Sequence, residues 1–245
     1  LKKGVMGKIK SAIEEFCAIG TLNRALGIIG VTAEIAEHQL KRCRISKPTF
    51  EYVNGIKCQG YIFDRRDIKV ELLFVASIFS PWIGLDLLFD ELDKNSFEHI
   101  IIHLVGELPN ELLIRAGNYD NIIIHGMLPL KQIYKLAEQS WLGITSFGFF
   151  RKNMKTACTL KARDYLCKGL PVVGGYEEAG LPNGFPYYRK MKCDINEIVS
   201  YAKEMKLIKK TDVYEISMQH IGKSRILNNL FKQLKRSSSN EDFKF

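Results

Sequence analysis

From residue 70 onward the apolar positions of this chain fall into short continuous runs separated by amphipathic stretches. The runs at 71–77, 99–105, 121–125, 141–146 and 170–173 are rich in Ile, Leu and Val and set off by glycine or polar residues. Continuous rather than alternating hydrophobicity is the mark of strands buried on both faces. Between them, 83–92, 110–116 and 130–139 carry apolar residues at helical spacing, and Ser80-Pro81 and Pro129 stand near helix starts. A loop at 147–155 leads to a helix that Thr159 can cap. A Gly- and Pro-rich loop at 177–186, an extended piece at 187–190 and helices at 195–206 and 213–234 follow. Such alternation predicts an α/β fold, a parallel sheet with helices on both faces. Sheets of this kind bind ligands at the carboxyl ends of their strands, near a reversal of strand order. The loops of interest are therefore 77–84, 106–109, 126–129, 147–161 and 174–178.

The chain before residue 57 reads differently. A helix over 4–24, ending near Gly20, precedes a strand at 25–31. Thr32 then caps a helix over 33–42, and an extended piece at 48–53 closes in the turn Asn54-Gly55. These elements are too few for a complete sheet and are expected to be the last part of another domain. The chain opens on Leu1, as a fragment or a processed product would. Residues 57–69 form a polar and aromatic connector, and 236–245 a polar tail.

The stretch KTACTLKARDYLCKGLPVVGG, residues 155–175, has the most chemistry. Leu160, Leu166 and Cys167 share one helical face, with Lys161, Arg163 and Lys168 off it. Gly169 and Pro171 stop the helix before a short β-branched strand. The unpaired N–H groups of a helix start favour anions. Lys161 near that start and Asp164 a turn further on suit a ligand with phosphate at one end and sugar hydroxyls at the other. An ordinary α/β helix with solvated charges fits the same pattern.

Composition narrows the alternatives. The 245 residues are 46% hydrophobic and carry a formal charge of +9, much of it in the end helices. An anionic membrane surface or a phosphorylated substrate suits that charge, whereas no nucleic-acid motif is present. The six cysteines lack any C-x-x-C pairing and read as reduced thiols. His99, His103 and His125 lie in or beside strand-like runs and read as structural, so no metal site is expected. There is no G-x-G-x-x-G after the first strand, no P-loop and no apolar run long enough for a bilayer, and a signal peptide is not expected.

Four pieces, taken in order, resemble the group 1 glycosyltransferases (glycosyltransferase family 4, GT-B fold), in particular members that make bacterial surface polysaccharides. They are GIIGVTAEI with FEYVNGI; LLFVASIFSPWIGLDLL at 72–88; IIIHLVGELP at 100–109 with IIIHGMLPLKQIYKLAEQSWLGI at 122–144; and FFRKNMKTACTLKARDYLCKGLPVV at 149–173. The resemblance implies that 1–56 is the C-terminal remnant of an acceptor domain, itself the tail end of a second Rossmann-like domain. It makes 57–69 a linker and 70–235 a Rossmann-like domain for a nucleotide-diphosphate-sugar donor. It places Asp164 at the donor's ribose and Thr156 where the family usually has a glutamate. It also implies that Lys161, then Arg151, stabilise the leaving diphosphate, helped by backbone at Thr159 and Leu160 and in the first loop at Ser77 and Gly84. Gly126 and Met127 would pass near the base, and Glu107 either lines the cleft or sits in an exposed turn. Ile83 occupies the position of the family's usual Lys or His.

The implied activity is a retaining transfer to a glycan or lipid-linked acceptor, without cofactor or metal, at the cytoplasmic face of a membrane. A degenerate homologue that binds without turning over is the second reading, favoured by Thr156 and Ile83. A nucleic-acid or membrane-surface binder is the third.

Overall fold

Thr32 occupies the position its sequence context predicts. Its hydroxyl accepts from the Ile35 N–H at 3.2 Å and caps α2 (Ala33–Leu40). α2 packs on two strands in parallel register, β1 (Ile28–Gly30) and β2 (Thr49–Glu51). α1 (Val5–Arg24) runs through Gly20 rather than ending there, since one interior glycine costs a helix only about 1 kcal/mol. None of its residues is buried, and Val5, Met6, Ile9, Ile13 and Phe16 are exposed.

The computed structural model describes residues 5–58, 60–94 and 99–238. Lys2, Lys3 and the tail beyond 238 lie outside them. The described residues fall into two compact units, one drawn from Leu1–Val53 and Ile226–Phe245, the other from Asn54–Arg225.

The second unit starts with β3 (Val70–Ile78), α3 (Leu85–Leu92), β4 (Ile100–Glu107), α4 (Asn110–Ala116), β5 (Ile122–Gly126), α5 (Leu130–Gln139) and β6 (Leu142–Ile144). A 3-10 turn at Phe149–Lys152 precedes β7 (Thr156–Ala157), α6 (Leu160–Cys167), β8 (Val172–Gly174), β9 (Glu177–Glu178) and β10 (Tyr188–Lys190). α7 (Ile195–Lys206), α8 (Lys210–Ile221) and α9 (Lys223–Ser238) close the chain. Six strands make one sheet in the order β10-β8-β6-β3-β4-β5, and every pairing in it is parallel. Leu72, Phe74, Ile102 and Ile144 on one face pack with Leu88 and Phe89 of α3 and Ile198 and Tyr201 of α7. Leu73, Val105 and Val172 on the other pack with Ala137 of α5, Ala162 and Leu166 of α6 and Val213 of α8. The α/β class and the two-sided covering follow from the apolar runs.

Three features depart from the pattern. The helix expected over 213–234 is two, α8 and α9, parted at Gly222. The backbone there bonds to Ile56 instead: Ile56 N–H donates to Ile221 O at 2.9 Å, and Lys223 N–H to Ile56 O at 3.1 Å. Within 177–186, Glu177–Glu178 forms β9, parallel to β7. Arg163 and Lys168, expected off the buried face of α6, are 0% and 8% exposed.

The described residues of 57–69 hold no long element, yet side chains tie the segment around Arg66 down. Arg66 donates to Met205 O at 2.9 Å and Ile208 O at 2.8 Å, satisfying carbonyls at the end of α7, and the Lys206 ammonium donates back to Arg66 O at 3.1 Å. Beside them Lys210 is 2% exposed. Its ammonium donates to Ser140 O at 2.9 Å and to Ala137 O, closing the end of α5. Burial, reinforced by the Arg66 charge, lowers its pKa to about 7. Lys210→Met fills the same space but donates nothing, so it should cost about 1–3 kcal/mol of unfolding free energy in urea. An unchanged midpoint would show that these carbonyls do not need the lysine.

Candidate functional site

The order of the sheet reverses between β3 and β6. From that pair β4 and β5 extend one way, β8 and β10 the other. The loops leaving the carboxyl ends of β3 and β6 therefore bound a crevice of the kind that receives ligands in parallel sheets.

These two loops are locked together. Phe147 N–H donates to Ile83 O at 3.0 Å. Gly84 has φ 81°, and a Cβ on it would stand 2.9 Å from the Gly148 nitrogen, so the backbones meet where side chains have no room. Arg151 extends from the 3-10 turn to Asp86 with bonds of 2.9 and 2.6 Å and also donates to Pro81 O. Burial pushes the Asp86 carboxyl up, but the hydrogen bonds and charge of Arg151 outweigh it and leave Asp86 below the usual range. Arg151 is thus engaged in tying the loops. Ile83 is 8% exposed and belongs to the core, which accounts for an apolar residue at that position. The Lys152 ammonium lies 3.6 Å from the ring centroid of Trp82.

Lys161 has a different environment. It is half-buried, with its ammonium 3.5 Å from the Ser146 hydroxyl just past β6 and 5.8 Å from the Phe74 ring centroid. Among the described residues no carboxylate forms an ion pair with it. Burial lowers its pKa to about 8. A partly desolvated cation at a strand reversal, unpaired with a carboxylate among the described residues, has the electrostatics to receive an anion.

The start of α6 lies beside it. Thr159 is the N-cap, its hydroxyl accepting from Ala162 N–H at 3.4 Å. Glu178 accepts the Thr159 N–H at 3.2 Å, and the Tyr176 and Thr159 hydroxyls are 2.8 Å apart. Glu178 also pairs with Arg163 at 3.2 Å, both side chains fully buried. Burial raises the Glu178 pKa to about 7, against the opposing pull of Arg163 and the hydroxyls. Leu160 is 61% exposed at the first position of the helix. Asp164, a turn further on, accepts from the Tyr134 hydroxyl of α5 at 3.2 Å. Burial raises its pKa, opposed by Tyr134 and Lys168.

Of the remaining expected residues, Ser77 is exposed at the end of β3, Thr156 sits in β7 in register with Glu177, and Gly126 ends β5, two strands from β3, with Met127 just after it. Glu107, last residue of β4, is exposed. Sequence reasoning missed Glu178, Tyr176, Asp86 and Ser146. Only the alternation of Tyr176, Glu177 and Glu178 after Gly174-Gly175 hinted that one of the two glutamates turns inward. His103 donates or accepts toward His125 at 2.9 Å and Glu71 at 3.2 Å, away from the crevice. Among the described residues no group of three or more His, Cys, Asp or Glu could hold a metal. A cavity of about 240 Å³, lined by Lys69, Ile100, Ile101, Asp120, Asn121 and Ile123, opens at the opposite, amino-terminal ends of β3 to β5.

No protein-family model and no curated protein matches the sequence. Solved structures do match. HepE of Anabaena, in complex with UDP, superposes with a TM-score of 0.68 at 17% identity, over 92% of this chain and 68% of its own. A variant of S. aureus TarM, in complex with fondaparinux, alpha-GlcNAc-glycerol and UDP, gives 0.66 at 16% identity, over 89% and 46%. The lipopolysaccharide outer core galactosyltransferase WaaB gives 0.61 at 14%, over 85% and 62%. The chain spans 45% of TarM and 62% of WaaB. The six-stranded sheet with its flanking helices has the fold of GT-B glycosyltransferases.

Lys161 sets a pH dependence. Only its protonated form attracts an anion, and that form is depleted as pH rises through about 8. Affinity for inorganic pyrophosphate should therefore fall between pH 7 and 9, and Lys161→Met should be weak at both. Isothermal titration checks this, and a flat profile in the unmodified protein would remove Lys161 from the site.

Proposed function

We propose that this chain binds the diphosphate of a nucleotide-sugar donor in the crevice between β3 and β6 and provides the donor side of a retaining glycosyltransferase. The acceptor would be a glycan or a lipid-linked glycan in cell-surface polysaccharide synthesis. The observation that carries the reading is Lys161, a half-buried lysine beside Ser146 and the start of α6 with no carboxylate paired to it among the described residues. As the glycosidic bond breaks, negative charge grows on the departing diphosphate, and a fixed cation with helix N–H groups at Thr159 and Leu160 stabilises it. Ser77 and Gly84 supply the opposite wall, Asp164 takes the ribose hydroxyls, Thr156 faces the sugar, and Gly126 and Met127 approach the base. A cation and N–H groups do the electrostatic work here, so no metal or cofactor is required.

On this reading residues 1–56 are the end of an acceptor-side domain, and the bare apolar line Val5, Met6, Ile9, Ile13 and Phe16 on α1 supports it, because such a line calls for a covering layer. No helix among the described residues is long and apolar enough to cross a membrane. Work at the cytoplasmic face of an anionic membrane suits the charge of +9.

A second reading has its own support. With Arg151 bound to Asp86, Ile83 in the core and Thr156 without a charge, the site has fewer catalytic groups than binding groups. A module that binds donor without transferring sugar fits that balance.

Thermal-shift assays with UDP-, GDP- and ADP-sugars test binding; UDP-sugars come first because HepE is described with UDP and UDP-glucose. At least one nucleotide should stabilise the chain, and Asp164→Ala should weaken its binding about ten-fold, a loss of ~1.4 kcal/mol. No stabilisation by any of them would rule out the donor reading. Binding without donor hydrolysis or transfer would favour the binding module.

A further inference from the structure

We propose that Glu178 is a positioning residue for the diphosphate: it holds the first turn of α6 so that Thr159, Leu160 and Lys161 present their N–H groups and ammonium to the ligand. This rests on the nucleotide-sugar reading above and assigns to it a residue outside every sequence piece that suggested it.

The argument begins with the length of α6. A helix of eight residues has little cooperativity of its own, and its first turn frays unless something outside it holds the cap. Here the capping residue is itself held. One oxygen of Glu178 accepts the Thr159 N–H at 3.2 Å, and the other lies 3.4 Å from the Thr159 hydroxyl. The same carboxylate pairs at 3.2 Å with Arg163, one turn further along the helix. It therefore bridges the cap and the first turn as a single brace. Glu178 is aimed by its strand, since Ala157↔Glu178 and Thr156↔Glu177 fix the register of β9 against β7. Arg163 is fixed from behind, donating to Asn54 O and Cys158 Sγ at 3.1 Å each and to Ala179 O.

Stability alone does not explain this arrangement. Burying an ion pair usually gains no more than an apolar pair of the same volume. What the pair adds is direction: a fixed acceptor for one N–H, with its charge offset by Arg163 so that a neighbouring diphosphate is not repelled. The β7–β9 pairing supplies the brace, and the sequence between 156 and 178 must turn back on itself to form it.

The test compares two double variants of the full chain. Arg163→Met with Glu178→Gln keeps an oxygen that accepts the Thr159 N–H; Arg163→Met with Glu178→Leu does not. The probes are UDP, inorganic pyrophosphate and uridine. The Leu form should bind UDP and pyrophosphate about ten-fold more weakly than the Gln form. Uridine affinity should be the same in both. If the Leu form fails to fold, Thr159→Ala, which removes the capping hydroxyl and loosens the same turn from the helix side, must give the diphosphate-specific loss. Equal UDP binding by the Gln and Leu forms would overturn the inference, as would a parallel loss of uridine binding or unchanged pyrophosphate binding by Thr159→Ala. If the unmodified chain binds neither UDP nor pyrophosphate, the donor reading itself falls and this inference with it. If it does bind and the variants match it, only the role of Glu178 falls.

Discussion

The guanidinium of Arg163 has no contact with solvent, and the carboxyl edge of the sheet beside α6 is built around its partners. A buried cation must be paired and hydrogen-bonded or it costs several kcal/mol. Here its partners come from four places along the chain: Asn54, Cys158 on the approach to α6, Glu178 of β9 and Ala179 just beyond. Partnering this side chain, whose Nη1 faces Glu178 as an ion pair without a hydrogen bond, brings β7 beside β9, draws residue 54 against the start of α6, and sets the direction of that helix. The crevice between β3 and β6 inherits its far wall from this knot. Its near wall comes from a second, more exposed ion pair, Arg151 with Asp86, which ties the loops after β3 and β6.

The two pairs divide the cations around the crevice into those bound within the protein and one, Lys161, that the proposed reading gives to a ligand. Arg151 and Arg163 are bound by carboxylates, and Lys152 rests on Trp82. Lys161 stands apart from them, desolvated enough that its pKa falls to about 8. Desolvation is what makes an unpaired cation a strong receptor, because water no longer screens it from an incoming anion. The price is that the same cation loses its charge within the physiological range of pH.

The sheet was legible in the sequence because its strands are buried on both faces, which writes them as apolar runs, and because proline and glycine punctuate the helices between them. α4, α5 and α7 coincide with the pattern residue for residue. Thr32 and Thr159 were readable as caps for the same local reason. The site was only half legible. Lys161 and Asp164 stand in a stretch whose helix start is plain, but Arg163 looked like one more solvated charge, since spacing cannot say that a carboxylate fifteen residues downstream will turn inward to meet it. β9 is two residues long and has no periodicity to detect. Gly222 reads as a tolerated interior glycine until the pairing of Ile56 with residues 221 and 223 is seen. Each miss is a long-range partner overriding a local preference. Each also lies at or beside the element that presents the ligand groups or at a helix end.

Amide hydrogen exchange with and without a nucleotide tests the placement of the site without depending on turnover. With UDP bound, the backbone of 77–84, 145–149 and 159–162 should exchange more slowly, because those segments line the crevice. The amino-terminal strand ends around Lys69, Ile100 and Asn121, which border the separate cavity, should be unaffected. Protection confined to those strand ends, or none at the start of α6, would contradict the account.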